Sequence, residues 1–134
     1  DNNVFANLAG IAGHVSIGNN VNIGAITTVH QFCKMGDFAF AGMNTSITMD
    51  VPAFVKVASD PARVIGLNSV GMKRNNINEE SISLMKKAYK LLYRKNLKID
   101  EAIKKIKELH NESNDSYLET FISSIEASER GILR

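Results

Sequence analysis

The sequence predicts a parallel β-solenoid that gives way to a small bundle of helices. Three observations carry the prediction. Aliphatic residues recur every six positions from Phe5 to Ile47, proline interrupts the series at Asp50-Val51-Pro52, and the apolar period turns helical beyond Asn75. The organisation that follows is a solenoid over residues 1–54, a connecting loop over 55–75 and a helical domain over 76–134.

The recurring series is Phe5, Ile11, Ile17, Ile23, Val29, Met35, Ala41 and Ile47. Two places before most members stands a second residue of the same kind: Ala9, Val15, Val21, Thr27, Cys33, Ala39 and Thr45. One place after comes a small residue in nearly every unit, among them Gly18, Gly24, Gly36 and Gly42. Each unit therefore reads as a short strand with two alternate side chains pointing inward and a small residue where the backbone turns. Such units bury their inner face only by stacking on one another, which is the logic of a β-helix.

Pro52 removes a ladder donor and is expected to end the repeat. A loop through Ser59-Asp60-Pro61-Ala62-Arg63 follows. Asn78 is a helix N-cap with Glu79 and Glu80 in the first turn, and Ile82, Met85, Tyr89 and Leu92 then share one face. A second helix starts near Asp100 and buries Ala102, Ile103, Ile106 and Leu109. His110 to Ser116 reads as a polar linker, and a third helix buries Leu118, Phe121, Ile122 and Ile125.

A chain of 134 residues with 44% hydrophobic residues suits one domain with an appendage. It contains no apolar run long enough to span a bilayer and no leader of the secretory type. The single Cys33 suits a reducing cytoplasm. The pattern is already under way at Asp1, which suggests a piece of a longer protein. The net charge of +2 hides a basic stretch from Gly71 to Lys98, where eight Lys and Arg face only Glu79 and Glu80. Charge alone leaves two readings open, an acidic partner or a solvated helix face.

No glycine-rich phosphate loop and no metal-ligand spacing is present. Cys33 falls on an inward phase, which argues against a nucleophile. Two histidines depart from the repeat. His30 occupies the corner position that glycine fills in Gly18, Gly24, Gly36 and Gly42, where the coil has no use for a bulky ionisable ring. His14 shares its phase with Asn20, Ile26, Phe32, Phe38 and Asn44, an outward phase with three large apolar members. An outward apolar stripe asks for a cover, most simply a neighbouring copy of the chain.

The segments Ala12-Gly13-His14-Val15 and Thr28-Val29-His30-Gln31-Phe32-Cys33 resemble the AGHV and VHQF motifs of the UDP-N-acetylglucosamine O-acyltransferase family. The similarity continues at Asp50-Val51-Pro52, Gly66-Leu67-Asn68, Gly71-Met72-Lys73-Arg74, Ala88-Tyr89-Lys90-Leu91 and Arg130-Gly131-Ile132-Leu133-Arg134. It thus covers essentially the whole chain, in order, and points to the family's C-terminal half. The resemblance implies a left-handed parallel β-helix with three six-residue units per coil, then a helical domain, in a cytoplasmic homotrimer. It implies transfer of an R-3-hydroxyacyl group from acyl carrier protein to the 3-hydroxyl of UDP-N-acetylglucosamine, the first step of lipid A biosynthesis. No cofactor is implied beyond the phosphopantetheine thioester on the carrier protein, and neither a nucleic-acid partner nor stable membrane insertion.

With that coil length, residues eighteen apart stack, so His30 and Gln31 sit over Ala12 and Gly13. A neutral imidazole can take a proton from a hydroxyl and a backbone N–H can stabilise an oxyanion, which suits acyl transfer. Sugar or nucleotide binding fits the same residue types. Carried over by position, Gly13 offers its N–H to the thioester oxyanion and His14 assists catalysis between subunits. His30 and Gln31 contact substrate, Asn68 and Arg74 reach the nucleotide, and Met43 is the acyl-chain ruler, its thioether favouring shorter chains than glycine would. The family's general-base histidine is expected about one coil upstream of the AGHV motif, before Asp1. Val70 stands where a Glu is frequent and Asn75 where many members carry a second Arg. Two alternatives remain: another acyltransferase built on six-residue repeats, or a non-catalytic trimerisation or carrier-protein-binding module.

Overall fold

Eight two-residue strands wind up the first part of the chain: β1 (Val4–Phe5), β2 (Gly10–Ile11), β3 (Ser16–Ile17), β4 (Asn22–Ile23), β5 (Thr28–Val29), β6 (Lys34–Met35), β7 (Phe40–Ala41) and β8 (Ser46–Ile47). The computed structural model describes all residues, Asp1–Arg134. Every third strand pairs in parallel, with Val4 opposite Asn22, Gly10 opposite Thr28 and Ser16 opposite Lys34. The result is a three-sided coil whose faces are β1-β4-β7, β2-β5-β8 and β3-β6.

Both inward phases behave as the repeat requires. Val21, Ile23, Val29, Cys33, Met35, Ala39, Ala41 and Ile47 are buried in one continuous core. The polar members Thr27 and Thr45 are buried as well, and each hydroxyl donates to the Gly42 carbonyl, at 2.8 and 2.6 Å. Both hydroxyls are thereby satisfied within an otherwise aliphatic core. In the first coil Phe5 and Ile11 are 50% and 40% exposed, because in the described chain only one side of that layer is stacked.

The corners differ from expectation. Asn2, Leu8, His14, Asn20, Ile26, Phe32, Phe38 and Asn44 all have positive φ, between 55° and 66°, whereas no glycine of the repeat does. The turn is therefore made at the His14 phase, in the left-handed region. The glycines serve a different purpose. A Cβ on Gly24 would lie 2.6 Å from the backbone of Gly42 and Met43, and one on Gly36 would lie 2.5 Å from the Ala53 nitrogen. They permit close stacking of successive coils.

The ladder also runs past Pro52. Val51 bridges Met35 in parallel, and β9 (Val55–Ala58) pairs in parallel with β7, Lys56 standing opposite Phe40. These partners are sixteen residues apart rather than eighteen, so the last coil is shorter by two. The expected loop over 55–75 is in fact a hairpin and a short helix. β9 turns through a cis Asp60–Pro61 peptide into the antiparallel β10 (Arg63–Leu67), and α1 (Ser69–Arg74) follows.

Three longer helices form the bundle: α2 (Glu79–Tyr93), α3 (Ile99–Ser113) and α4 (Ser116–Glu126). Asn78 caps α2 as expected, accepting from the Ser81 N–H at 2.8 Å. The expected linker is mostly helix: α3 runs to Ser113, and only Asn114, in the left-handed conformation, and Asp115 separate it from α4. Asp115 caps α4, with Oδ1 accepting from Tyr117 and Leu118 while Oδ2 accepts from the Ser81 hydroxyl of α2. Ile103 and Leu109 are only partly buried; Ala102 and Ile106 carry the α3 contact. The bundle joins the solenoid through Phe54, fully buried, stacked on Phe38 at 5.3 Å and edge-on to Tyr117 at 6.1 Å. Phe38 is thus covered by its own chain.

Candidate active site

The Gly13–His14 corner and the Gln31–Phe32 corner lie one above the other, and the Phe32 N–H donates to the Gly13 carbonyl at 3.2 Å. The left-handed turn throws the His14 ring outward, where it stacks flat on Phe32 with centroids 5.0 Å apart. Phe32 is still 57% exposed. His30 is exposed, its backbone held by an N–H bond to the Ile47 carbonyl at 2.9 Å. Together with Gln31 it lines an open depression of about 570 Å³ on the β2-β5-β8 face, over Ala12 and beside Thr28 and Ser46. His14 does not line that depression; it stands on the corner next to it. The backbone of Gly13 is open, for a Cβ there would meet nothing within 4 Å.

Asn68 and Arg74 are elsewhere. They line a cavity of about 470 Å³ between α1 and the β1-β4-β7 face, with Asn20, Asn22, Phe40 and Lys56. Asn68 is largely committed to structure. It caps α1 by accepting from the Gly71 N–H at 3.1 Å, and its amide donates to the Phe38 carbonyl at 2.8 Å. Its 6% exposure leaves a narrow edge for a ligand. His30 follows β5 on the β2-β5-β8 face, whereas this cavity opens where the chain enters β4 on the β1-β4-β7 face. No residue lines both depressions. Met43 lies on the corner that joins those faces, 69% exposed and outside both depressions.

A third arrangement was not legible in the repeat. Asp50 is buried, and its carboxylate accepts from the Lys34 N–H at 2.7 Å and the Ser128 hydroxyl at 2.6 Å. The Asp50 N–H donates to the Gly131 carbonyl and the Leu133 N–H to the Asp50 carbonyl. Arg130 then donates to the Gln31 carbonyl at 3.0 Å. The C-terminal segment is thereby strapped to the corner that carries His30 and Gln31. Cys33, fully buried under this corner, has its thiol pushed up by burial. No three His, Cys, Asp or Glu side chains gather where a metal could be held.

Residues 50–133 match the family described as Udp N-acetylglucosamine O-acyltransferase; Domain 2. Over its full length the chain is 40% identical to an acyl-[acyl-carrier-protein]--UDP-N-acetylglucosamine O-acyltransferase of Herminiimonas arsenicoxydans, of which it covers 52%. An enzyme of the same description from Pseudomonas putida (strain W619) is 39% identical, with 98% of this chain and 50% of that protein covered. The solved UDP-N-acetylglucosamine O-acyltransferase of Moraxella catarrhalis RH4 superposes with a TM-score of 0.94 at 38% identity, covering 99% of this chain and 51% of that one. The Acinetobacter baumannii structure gives 0.94 at 39% identity, covering all of this chain and 52% of that one. The chain therefore spans about half the length of the relatives it matches, and its coil shares their left-handed β-helix. With the family match over residues 50–133 and relatives at this identity across the whole length, the chain belongs to the UDP-N-acetylglucosamine O-acyltransferase family.

Proposed function

We propose that this chain, within a protein of its relatives' length, forms the sugar-nucleotide and acyl-donor side of an O-acyltransferase. The reaction moves a 3-hydroxyacyl group from the phosphopantetheine thioester of acyl carrier protein to the 3-hydroxyl of UDP-N-acetylglucosamine, opening lipid A biosynthesis. The observation that carries the reading is the stacking of Gly13-His14 under Gln31-Phe32 beside His30, in a chain aligned end to end with enzymes of that description.

In this reading the open Gly13 N–H faces the thioester carbonyl as its oxygen gains charge, and His14, held flat by Phe32, assists proton movement. His30 and Gln31 bind the sugar or its phosphates, Asn68 and Arg74 the nucleotide. The site is completed by a neighbouring copy, since the His30 depression and the Arg74 cavity lie on different faces of one chain and share no lining residue. That requirement, with Leu8 81%, Ile26 53% and Phe32 57% exposed on the corners, supports a homotrimer. The exposed cations of α2, Lys86, Lys87 and Lys90, pair with no carboxylate, for the chain's one ion pair is Lys107–Glu126. They suit the acidic carrier protein. No helix is long and apolar enough to cross a membrane, and we place the reaction in the cytoplasm.

The test is hydroxyacyl transfer from acyl carrier protein to UDP-N-acetylglucosamine by this chain and by a version extended upstream to its relatives' length. The extended protein is expected to be active and this chain nearly inactive. Activity in neither would favour a non-catalytic binding module, and activity in this chain alone would make His14 or His30 the base.

A further inference from the structure

The cavity between α1 and the β1-β4-β7 face has an unusual charge pattern. Two cations line it, Lys56 and Arg74, and no Asp or Glu does; the remaining polar residues are asparagines. Side-chain amides offer a donor and an acceptor each and suit the edges of a base or sugar. Two uncompensated cations in such a lining suit phosphate oxygens. The two cations are held differently. Arg74 is the last residue of the six-residue α1, where the backbone is nearest to fraying. Lys56 lies in mid-strand in β9, paired on one side with Phe40 of β7 and on the other with Gly66 of β10. Its Nζ lies over the Phe40 ring, 5.7 Å from the centroid, in the vertical row Val4, Asn22, Phe40 and Lys56 that walls the cavity. A charge on a rigid strand and steered by an aromatic face is pre-positioned for a ligand.

We infer that Lys56 is a phosphate-binding residue of this cavity and, with Arg74, grips the diphosphate of a nucleoside diphosphate whose base and sugar lie along the asparagines. The inference rests on the nucleotide reading of the cavity given above. Its register opposite Phe40 depends on the two-residue shortening of the last coil, which hid it from the six-residue period.

Calorimetric titration of the protein extended upstream to its relatives' length with UDP and with uridine, in parent, Lys56→Met, Lys56→Arg and Arg74→Met forms, tests it. Lys56→Met should weaken UDP about tenfold while uridine changes less than about twofold, and Lys56→Arg should stay within about threefold of the parent. Thermal midpoints of the Lys56 variants should match the parent, since the side chain is at the surface of the coil. Parent-like UDP binding by Lys56→Met, with Arg74→Met weakened, would overturn the role of Lys56 and leave the nucleotide reading standing. Equal loss for UDP and uridine would make Lys56 structural and also overturn it. A parent that binds neither UDP nor uridine would defeat the nucleotide reading, and the inference with it.

Discussion

At the scale of single residues, Gly24 and Gly13 differ in what they leave room for. Gly24→Ala would drive a methyl to 2.6 Å from backbone atoms of the next coil, and should cost about 1–3 kcal/mol in a urea melt. Gly13→Ala meets nothing, so its stability should change by less than about 0.5 kcal/mol while the extended enzyme loses activity through the crowded oxyanion position. A Gly13→Ala enzyme of full activity would remove Gly13 from the site. Met43 projects from the chain at 69% exposure, and Met43→Gly should shift competition assays toward longer hydroxyacyl chains. Unchanged preference would deny it a ruler's role. Cys33 has a thiol raised above its ordinary value of 9.0 chiefly by burial, with Asp50 adding to and Arg130 opposing the effect. The unfolded chain therefore ionises first, and the fold loses stability as pH climbs past that ordinary value. Cys33→Ala should flatten this alkaline loss; an unchanged pH profile of melting would locate it elsewhere.

At the scale of elements, the strap is the part of the site most exposed to test. Asp50→Asn places an amide where the carboxylate accepts from both Lys34 and Ser128, and so turns one of two buried acceptors into a donor. A loss of about 1–3 kcal/mol is expected, with Gln31 loosened through Arg130. Stability equal to the parent would show the strap to be ornamental. The repeat made the inner residues of this region legible, because a period of six shows which side chains stack. It did not show the dihedral angles, so the left-handed turns at His14 and its equivalents were assigned to the glycines. Pro52 looked like a terminator because it lacks a donor, yet the ladder resumes at Val55 after a shorter coil. The hairpin partner β10 and the short α1 carry too few apolar repeats to declare a period. The His110–Ser116 stretch is polar because it is an exposed helix end, and polarity alone could not tell that from a linker.

At the scale of the whole molecule, the site residues fall into two groups on different faces. His30 was legible as a break in the repeat and Gln31 by its stacking over Gly13, whereas the Arg74 cavity needed the tertiary packing of α1 against a face that the sequence leaves unmarked. The corner residues Leu8, Ile26 and Phe32 stay largely exposed, and the α2 cations have no carboxylate partner inside the chain. Light scattering should therefore find a trimer or larger species, and a well-behaved monomer would speak against the corners as an interface. The most direct measurement is subunit mixing in the extended protein: His30→Ala and Arg74→Ala chains, each inactive alone, unfolded together, refolded and assayed for acyl transfer. Sites shared between neighbours in a trimer should restore about a quarter of the wild-type activity, since one chain supplies the intact histidine face and the next the intact arginine cavity. A mixture no more active than either variant would mean that each site is built within a single chain, and would contradict the shared site.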